Sequence, residues 1–161
     1  MGAARLRTVA GALLDASTLC AIATVSPRKR AHVNTAYFAW SDSFELVWLS
    51  EPNASHSRNL AANAAAAVAV YDSTQRWGQS DRGIQLFGSA RAAGVDARRV
   101  YAERFPDYDD VEFGAYGFYR FRPRHVKLFD EQVLGGGVFV TARVRKGELA
   151  WERTEIYDSA A

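Results

Sequence analysis

Thr18-Leu19-Cys20-Ala21-Ile22-Ala23-Thr24-Val25, closed by Ser26-Pro27, is followed after Arg28-Lys29-Arg30 by His32-Val33-Asn34-Thr35-Ala36-Tyr37-Phe38-Ala39-Trp40. Both runs are rich in β-favouring residues, and the link between them is too short to hold a helix. Strands joined this way lie antiparallel, because a parallel return needs a crossover of a dozen or more residues. Past the polar turn Ser41-Asp42-Ser43, Phe44 to Leu49 forms a third strand. A meander of hairpins therefore sets the fold class as mainly β.

Upstream, Leu6, Val9, Ala10, Leu13 and Leu14 fall on one face of a helix from Ala3 to Ala16. Arg5 and Arg7 before the apolar run Val9–Leu14 imitate a leader. Asp15 ends that run early, and it is too short to span a bilayer. A cytoplasmic protein without a membrane segment is expected.

Downstream, Glu51-Pro52-Asn53-Ala54 interrupts the sheet, and Ser55 to Asn63 reads as a short helix with Asn53 or Ser55 as N-cap. Val68, Val70 and Tyr71 tip the alanine-rich stretch Ala64–Tyr71 towards a strand. Asp72–Arg82 is a polar loop carrying Trp77, and Gly83–Ala92 is another strand. Asp96 opens a helix whose apolar face is Val100, Tyr101 and Phe105, stopped by Pro106. The acidic run Asp107-Tyr108-Asp109-Asp110 reads as a solvated loop. Further strands are expected at Tyr116–Phe121, Val126–Phe129, Val138–Val144 and Glu148–Arg153, with Gly135-Gly136-Gly137 as a turn or bulge. Six or more hairpin-connected strands with two or three helices predict a small closed barrel.

Composition agrees with one domain over residues 1–161. A chain of this length buries roughly 70% of its unfolded surface, enough to fold without a disulfide or structural metal. Its single Cys, Cys20, lies in an apolar strand and reads as inert packing. Twenty Lys and Arg against 18 Asp and Glu leave a net charge of +2, which argues against a surface built for nucleic-acid backbone. No Gly-x-Gly-x-x-Gly, Walker loop or Gly-x-Ser-x-Gly elbow occurs, and the three histidines lack metal-ligand spacing.

Three stretches carry chemistry. Ser55-His56-Ser57-Arg58 puts hydroxyls, an imidazole and a guanidinium at a helix start, where free N–H groups attract phosphate. Ordinary capping by Ser55, with Arg58 in solvent, explains the same residues. Gln85, in Gly83-Ile84-Gln85-Leu86-Phe87-Gly88, is an amide among apolar neighbours. It either meets a bound ring offering donor and acceptor or points outward with Phe87. Phe118 to Lys127 interleaves aromatic and basic residues as single-strand nucleic-acid grooves do. Strand alternation, with Tyr119 and Phe121 inward and Arg120 and Arg122 outward, explains it equally.

In order and spacing, these pieces resemble the pyridoxamine 5'-phosphate oxidase-like split-barrel flavoproteins. The resemblance runs through Leu19–Pro27, His32–Phe38, Leu46–Ser50, Ser55–Leu60 with Asn63, Val68–Val70 and Gly83–Gly88, and returns in Tyr119–Leu128. It implies an antiparallel split β-barrel homodimer with FMN held between subunits. By that resemblance Val33, Asn34 and Thr35 run beside the flavin, and His32 stands where many members have an Arg. Leu49 and Ser50 flank the ring, while Ser55, His56, Ser57 and Arg58 hold the phosphate, with His56 replacing a frequent Lys. Gln85 meets the pyrimidine edge. Arg28-Lys29-Arg30 replaces the usual Asp-Gly turn, and the C-terminal substrate-binding Trp and Arg have no match. Pyridoxamine phosphate oxidation itself is therefore not expected. The implied activity is hydride transfer between a reduced nicotinamide, NAD(P)H, or another small-molecule substrate and the flavin. Relatives that use a deazaflavin or bind haem share the barrel, so a non-catalytic flavin- or haem-binding protein is the alternative.

Overall fold

The computed structural model describes residues 1–109 and 114–157. In chain order it contains α1 (Ala3–Asp15), β1 (Leu19–Val25), β2 (Ala31–Trp40), β3 (Leu46–Ser50), α2 (Ser55–Ala62), β4 (Ala65–Tyr71), β5 (Arg82–Ala93), α3 (Val95–Arg104), β6 (Gly117–Asp130), β7 (Val138–Arg145) and β8 (Glu148–Ile156). The eight strands form one sheet in the order β3-β2-β1-β4-β5-β6-β7-β8, and β3 also pairs with β6, so six of them close into a barrel. Strands β7 and β8 extend from β6 as an arm. The mainly β, antiparallel expectation holds.

Alternation along the strands builds the core. Cys20 and Ile22 on β1, Val68 and Val70 on β4, Ile84 and Leu86 on β5, and Tyr119 and Phe121 on β6 point into the barrel. Helix α1 adds Leu6, Val9, Ala10, Leu13 and Leu14 to the same cluster. A second, smaller core lies outside the barrel wall, where Ala97 and Tyr101 of α3 pack on Ala39 and Val47. Burial pushes the Cys20 thiol up to about 12, so it stays protonated and packs as an apolar group.

Three local expectations need correction. The N-cap of α2 is Ala54, with no side-chain cap bond, rather than Asn53 or Ser55. The two strands expected at Tyr116–Phe121 and Val126–Phe129 are one continuous strand of 14 residues. Pro123, in the stretch between the two expected strands, lies opposite Gly88, where the pairing shifts register between Phe87 and Gly88. Proline lacks an N–H, and a bulge is the place in a ladder where that N–H is not needed. Finally, β8 runs on to Ile156. Of the acidic run, Asp110 lies outside the described residues.

Candidate functional site

The β1–β2 hairpin is longer than its neighbour. Residues 31–37 of β2 pair with β1, whereas only Phe38–Trp40 pair with β3. Among the described residues, the first half of β2 therefore has a strand along one edge only. The backbone groups on its other edge are open to hydrogen bonding. The loop after β3 and the start of α2 stand beside this gap, and α2 packs on β1, β2 and β5.

Around that gap the expected residues separate by face. His32 and Asn34 are half-buried, while Val33 and Thr35 lie on the exposed face of the same strand. The His32 ring stacks against His56 with 6.3 Å between centroids. His32 Nδ1 and Asn34 Oδ1 are buried and have no hydrogen-bond partner among the described residues. Such orphaned atoms cost free energy unless something meets them. Ser50, buried at the end of β3, shares a hydrogen bond with His56 Nε2.

Within α2 the four phosphate candidates also diverge. Ser55 is exposed. Ser57 is buried and donates from Oγ to the Glu51 carbonyl at 2.8 Å. Arg58 is exposed and donates from Nη1 to the Asn53 carbonyl at 2.6 Å. With no side-chain cap, the first N–H groups of the helix remain available. Ser55, His56 and Arg58 are thus presented together, and Ser57 is a brace for the loop. Leu49 packs against the outer α3 core, so only its backbone borders the gap.

Sequence reasoning missed the strut beneath this cluster. Asn59 Nδ2 donates to Thr24 Oγ1 at 3.1 Å, and both residues are buried. Thr24 lies opposite His32 across the β1–β2 ladder. The signal was present as an Asn on the inward face of an otherwise apolar helix turn, next to Leu60.

Gln85 is elsewhere. It points outward on β5, and cross-strand pairing leads from it through Ala69 and Ala21 to Thr35. Three strand spacings make that roughly 14 Å. Between them lies a floor of small residues, Ala21, Ala23, Ala67 and Ala69, bordered by Val33, Gln85 and Phe87. On its other side Gln85 opens onto a groove with His125, Lys127, Thr141 and Arg153, in which the Thr141 hydroxyl is buried without a partner. One chain therefore gathers His32, Asn34, Ser50, Ser55, His56 and Arg58 at one place and leaves Gln85 at another.

Burial is the main force on His56, with the neighbouring His32 second; both hold its pKa below the usual imidazole value. The cluster is consequently polar but only weakly cationic at neutral pH, with Arg58 as its permanent charge. The interleaved stretch of β6 resolves into core and surface. Tyr119 and Phe121 are buried, Arg120 is tied to Glu45 and Asp96, and Arg122 is tied to Glu45. No helix among the described residues is long and apolar enough to cross a membrane.

Comparison with known proteins agrees with this architecture. Among solved structures, a Clostridium acetobutylicum protein related to general stress protein 26, of the pyridoxinephosphate oxidase family, shares 10% identity, with a TM-score of 0.66 over 87% of this chain and 95% of that one. A heme-binding protein from Mycobacterium smegmatis shares 19% identity and a TM-score of 0.64; the match covers 89% of this chain and 58% of the mycobacterial one. HutZ, a heme storage protein from Vibrio cholerae, shares 18% identity and a TM-score of 0.55 over 74% of this chain and 86% of its own. At these identities the likeness is one of fold. No curated protein matches the sequence. The family model described as pyridoxamine 5'-phosphate oxidase matches residues 7–130, well over half of the chain. The chain belongs to the pyridoxamine 5'-phosphate oxidase family, on whose split barrel its open half of β2 and its uncapped α2 are built.

Proposed function

We propose that this protein is an FMN-dependent oxidoreductase that works as a homodimer. The observation that carries this reading is the meeting of three features. These are the open edge of β2, the orphaned His32 Nδ1 and Asn34 Oδ1 beside it, and the uncapped N-terminus of α2 with Ser55 and Arg58. A planar ring with donors and acceptors on its rim suits the first two features, and a phosphate suits the third. The residues present therefore fit a phosphorylated flavin.

In this reading Ser55, Arg58 and the first N–H groups of α2 hold the phosphate. His32, Asn34 and the backbone of residues 33–35 border the ring, and Ser50 and His56 close the site from the barrel side. Gln85 of the same chain lies on the outer face of the wall, opposite to that of His32 and Asn34, and in this reading a second copy, packed on the alanine floor, supplies the glutamine that meets the ring. When bound, the flavin accepts and returns a hydride, which is chemistry no side chain here performs. The protein's part is to orient the ring and to keep water from one face. The substrate is a small molecule, and NAD(P)H is the proposed hydride source.

The test is reconstitution. Purified protein with added FMN is expected to retain a two-band flavin spectrum through gel filtration and to bleach with NADH or NADPH. Protein that binds neither FMN nor a deazaflavin sinks the proposal. A second reading, haem binding, is favoured by the two haem-named structural relatives. An intense Soret band after haem addition, with no retention of FMN, decides for it.

A further inference from the structure

Ser50 and His56 share one hydrogen bond, and either partner can own the hydrogen in it. A neutral His56 protonated on Nδ1 accepts at Nε2, which uses the Ser50 hydroxyl hydrogen. An imidazolium instead donates from Nε2 to Ser50 Oγ. The Ser50 hydrogen is then released, and Nδ1–H remains a donor. One added proton thus supplies a positive charge and a second free donor at the same place.

We propose that Ser50 and His56 make the phosphate end of this site proton-linked, with one proton taken up on His56 for each phosphate bound. The proposal rests on the flavin reading above and adds how the phosphate is held. Geometry supports it independently of charge, because Ser50 is buried at the strand end while His56 opens α2, whose first N–H groups have no cap. The charged or titratable groups around His56 are His32 across from it on β2, Arg58 on its own helix and Glu51 on the loop before it; Thr24 and Asn34, from β1 and β2, do not titrate. Of these, His32 is the group whose charge acts on His56, and it lowers the His56 pKa.

In the free protein, burial and His32 favour the neutral form of His56. A bound dianion stabilises the imidazolium, so the pKa of the complex lies above that of the free protein. Affinity is then highest below the pKa of the free protein and falls as pH rises from there to the pKa of the complex, by at most about tenfold per pH unit for one linked proton. The phosphate's own second ionisation lies near pH 6, so the useful window is about pH 6.5 to 8.5.

The experiment measures FMN and riboflavin affinity by quenching of flavin fluorescence across that window. The wild-type protein is expected to bind FMN about fivefold or more weakly at the alkaline end, with riboflavin showing no such slope. His56→Gln should bind FMN weakly and without the slope, His56→Lys tightly and without it, and His32→Gln should move the fall to higher pH. A wild-type slope equal to that of His56→Gln, or the same slope with riboflavin, overturns proton linkage while leaving the flavin site standing. Failure of the wild-type protein to bind FMN at any pH overturns the flavin reading itself.

Discussion

Arg58 and Gly88 show how differently two single residues can matter. Arg58 is exposed, and it donates to a carbonyl of the preceding loop. Removing it leaves the core untouched, so Arg58→Ala should change stability by less than about 0.5 kcal/mol. A charge-assisted contact to phosphate is worth roughly 1.5–3 kcal/mol, so FMN affinity should fall between about tenfold and a hundredfold. Isothermal titration together with a thermal melt separates the two effects. Gly88 has no such freedom. A methyl group there would land on the Arg122 carbonyl and the Pro123 backbone, at the bulge that lets Pro123 enter β6. Backbone cannot move aside as a side chain can, so Gly88→Ala is expected to cost more than about 3 kcal/mol. Urea unfolding should show it as a lower midpoint with an unchanged slope.

Among the elements, α3 depends on one side chain that faces the wrong way for an arginine. Arg104, at its last turn, donates to the carbonyls of Phe38 at 3.0 Å, Leu14 at 3.4 Å and Ser17 at 2.9 Å, and its guanidinium lies 4.7 Å from the Phe38 ring centroid. It fastens α3 to β2 and to the end of α1 at once. Arg104→Met keeps much of the volume but leaves these carbonyls unpaired, at an expected cost of about 2–4 kcal/mol. Hydrogen exchange should show α3 and the first residues of β1 losing protection first. Nothing in the local pattern marked Arg104, because an arginine near a helix C-terminus normally reaches solvent. The elements built on period were legible. The apolar stripe of α1 is buried residue for residue, and the hairpins β1–β2–β3 follow their alternation. The length of β6 was not legible because Pro123 is tolerated only where the pairing with β5 shifts register, and that pairing lies far off in the chain. The family resemblance singled out Ser50, His56 and Arg58, and the structure brings Ser50 and His56 into hydrogen-bond contact. The orphaned atoms of His32 and Asn34 could not, since which face of β2 lies beneath α2 depends on the register with β1.

Across the whole molecule, the unanswered surface is the alanine floor. Ala21, Ala23, Ala67 and Ala69 give β1 and β4 a flat outward face, with Val33 67% exposed on one border and Phe87 44% exposed on the other. Small side chains let another backbone approach closely, and bordering apolar groups gain from burial. On the same face Gln85 stands about three strands from Thr35, across the floor from Val33. In the dimer we propose, a second copy packed face to face covers the floor and carries its own Gln85 towards the first copy's open β2. In this arrangement the dimer and the cofactor site are one structure, and two substitutions can pull them apart. Ala69→Glu places a carboxylate in the middle of the floor, where pairing would bury it without a partner, at a cost of several kcal/mol. Light scattering should report a monomer at concentrations where the wild-type protein is a dimer. FMN affinity should fall with it, although Ala69 touches none of the phosphate residues. Arg58→Ala should do the reverse, losing FMN while remaining a dimer. A monomeric Ala69→Glu protein that still binds FMN at wild-type affinity would place the whole site within one chain and leave Gln85 without a role in it.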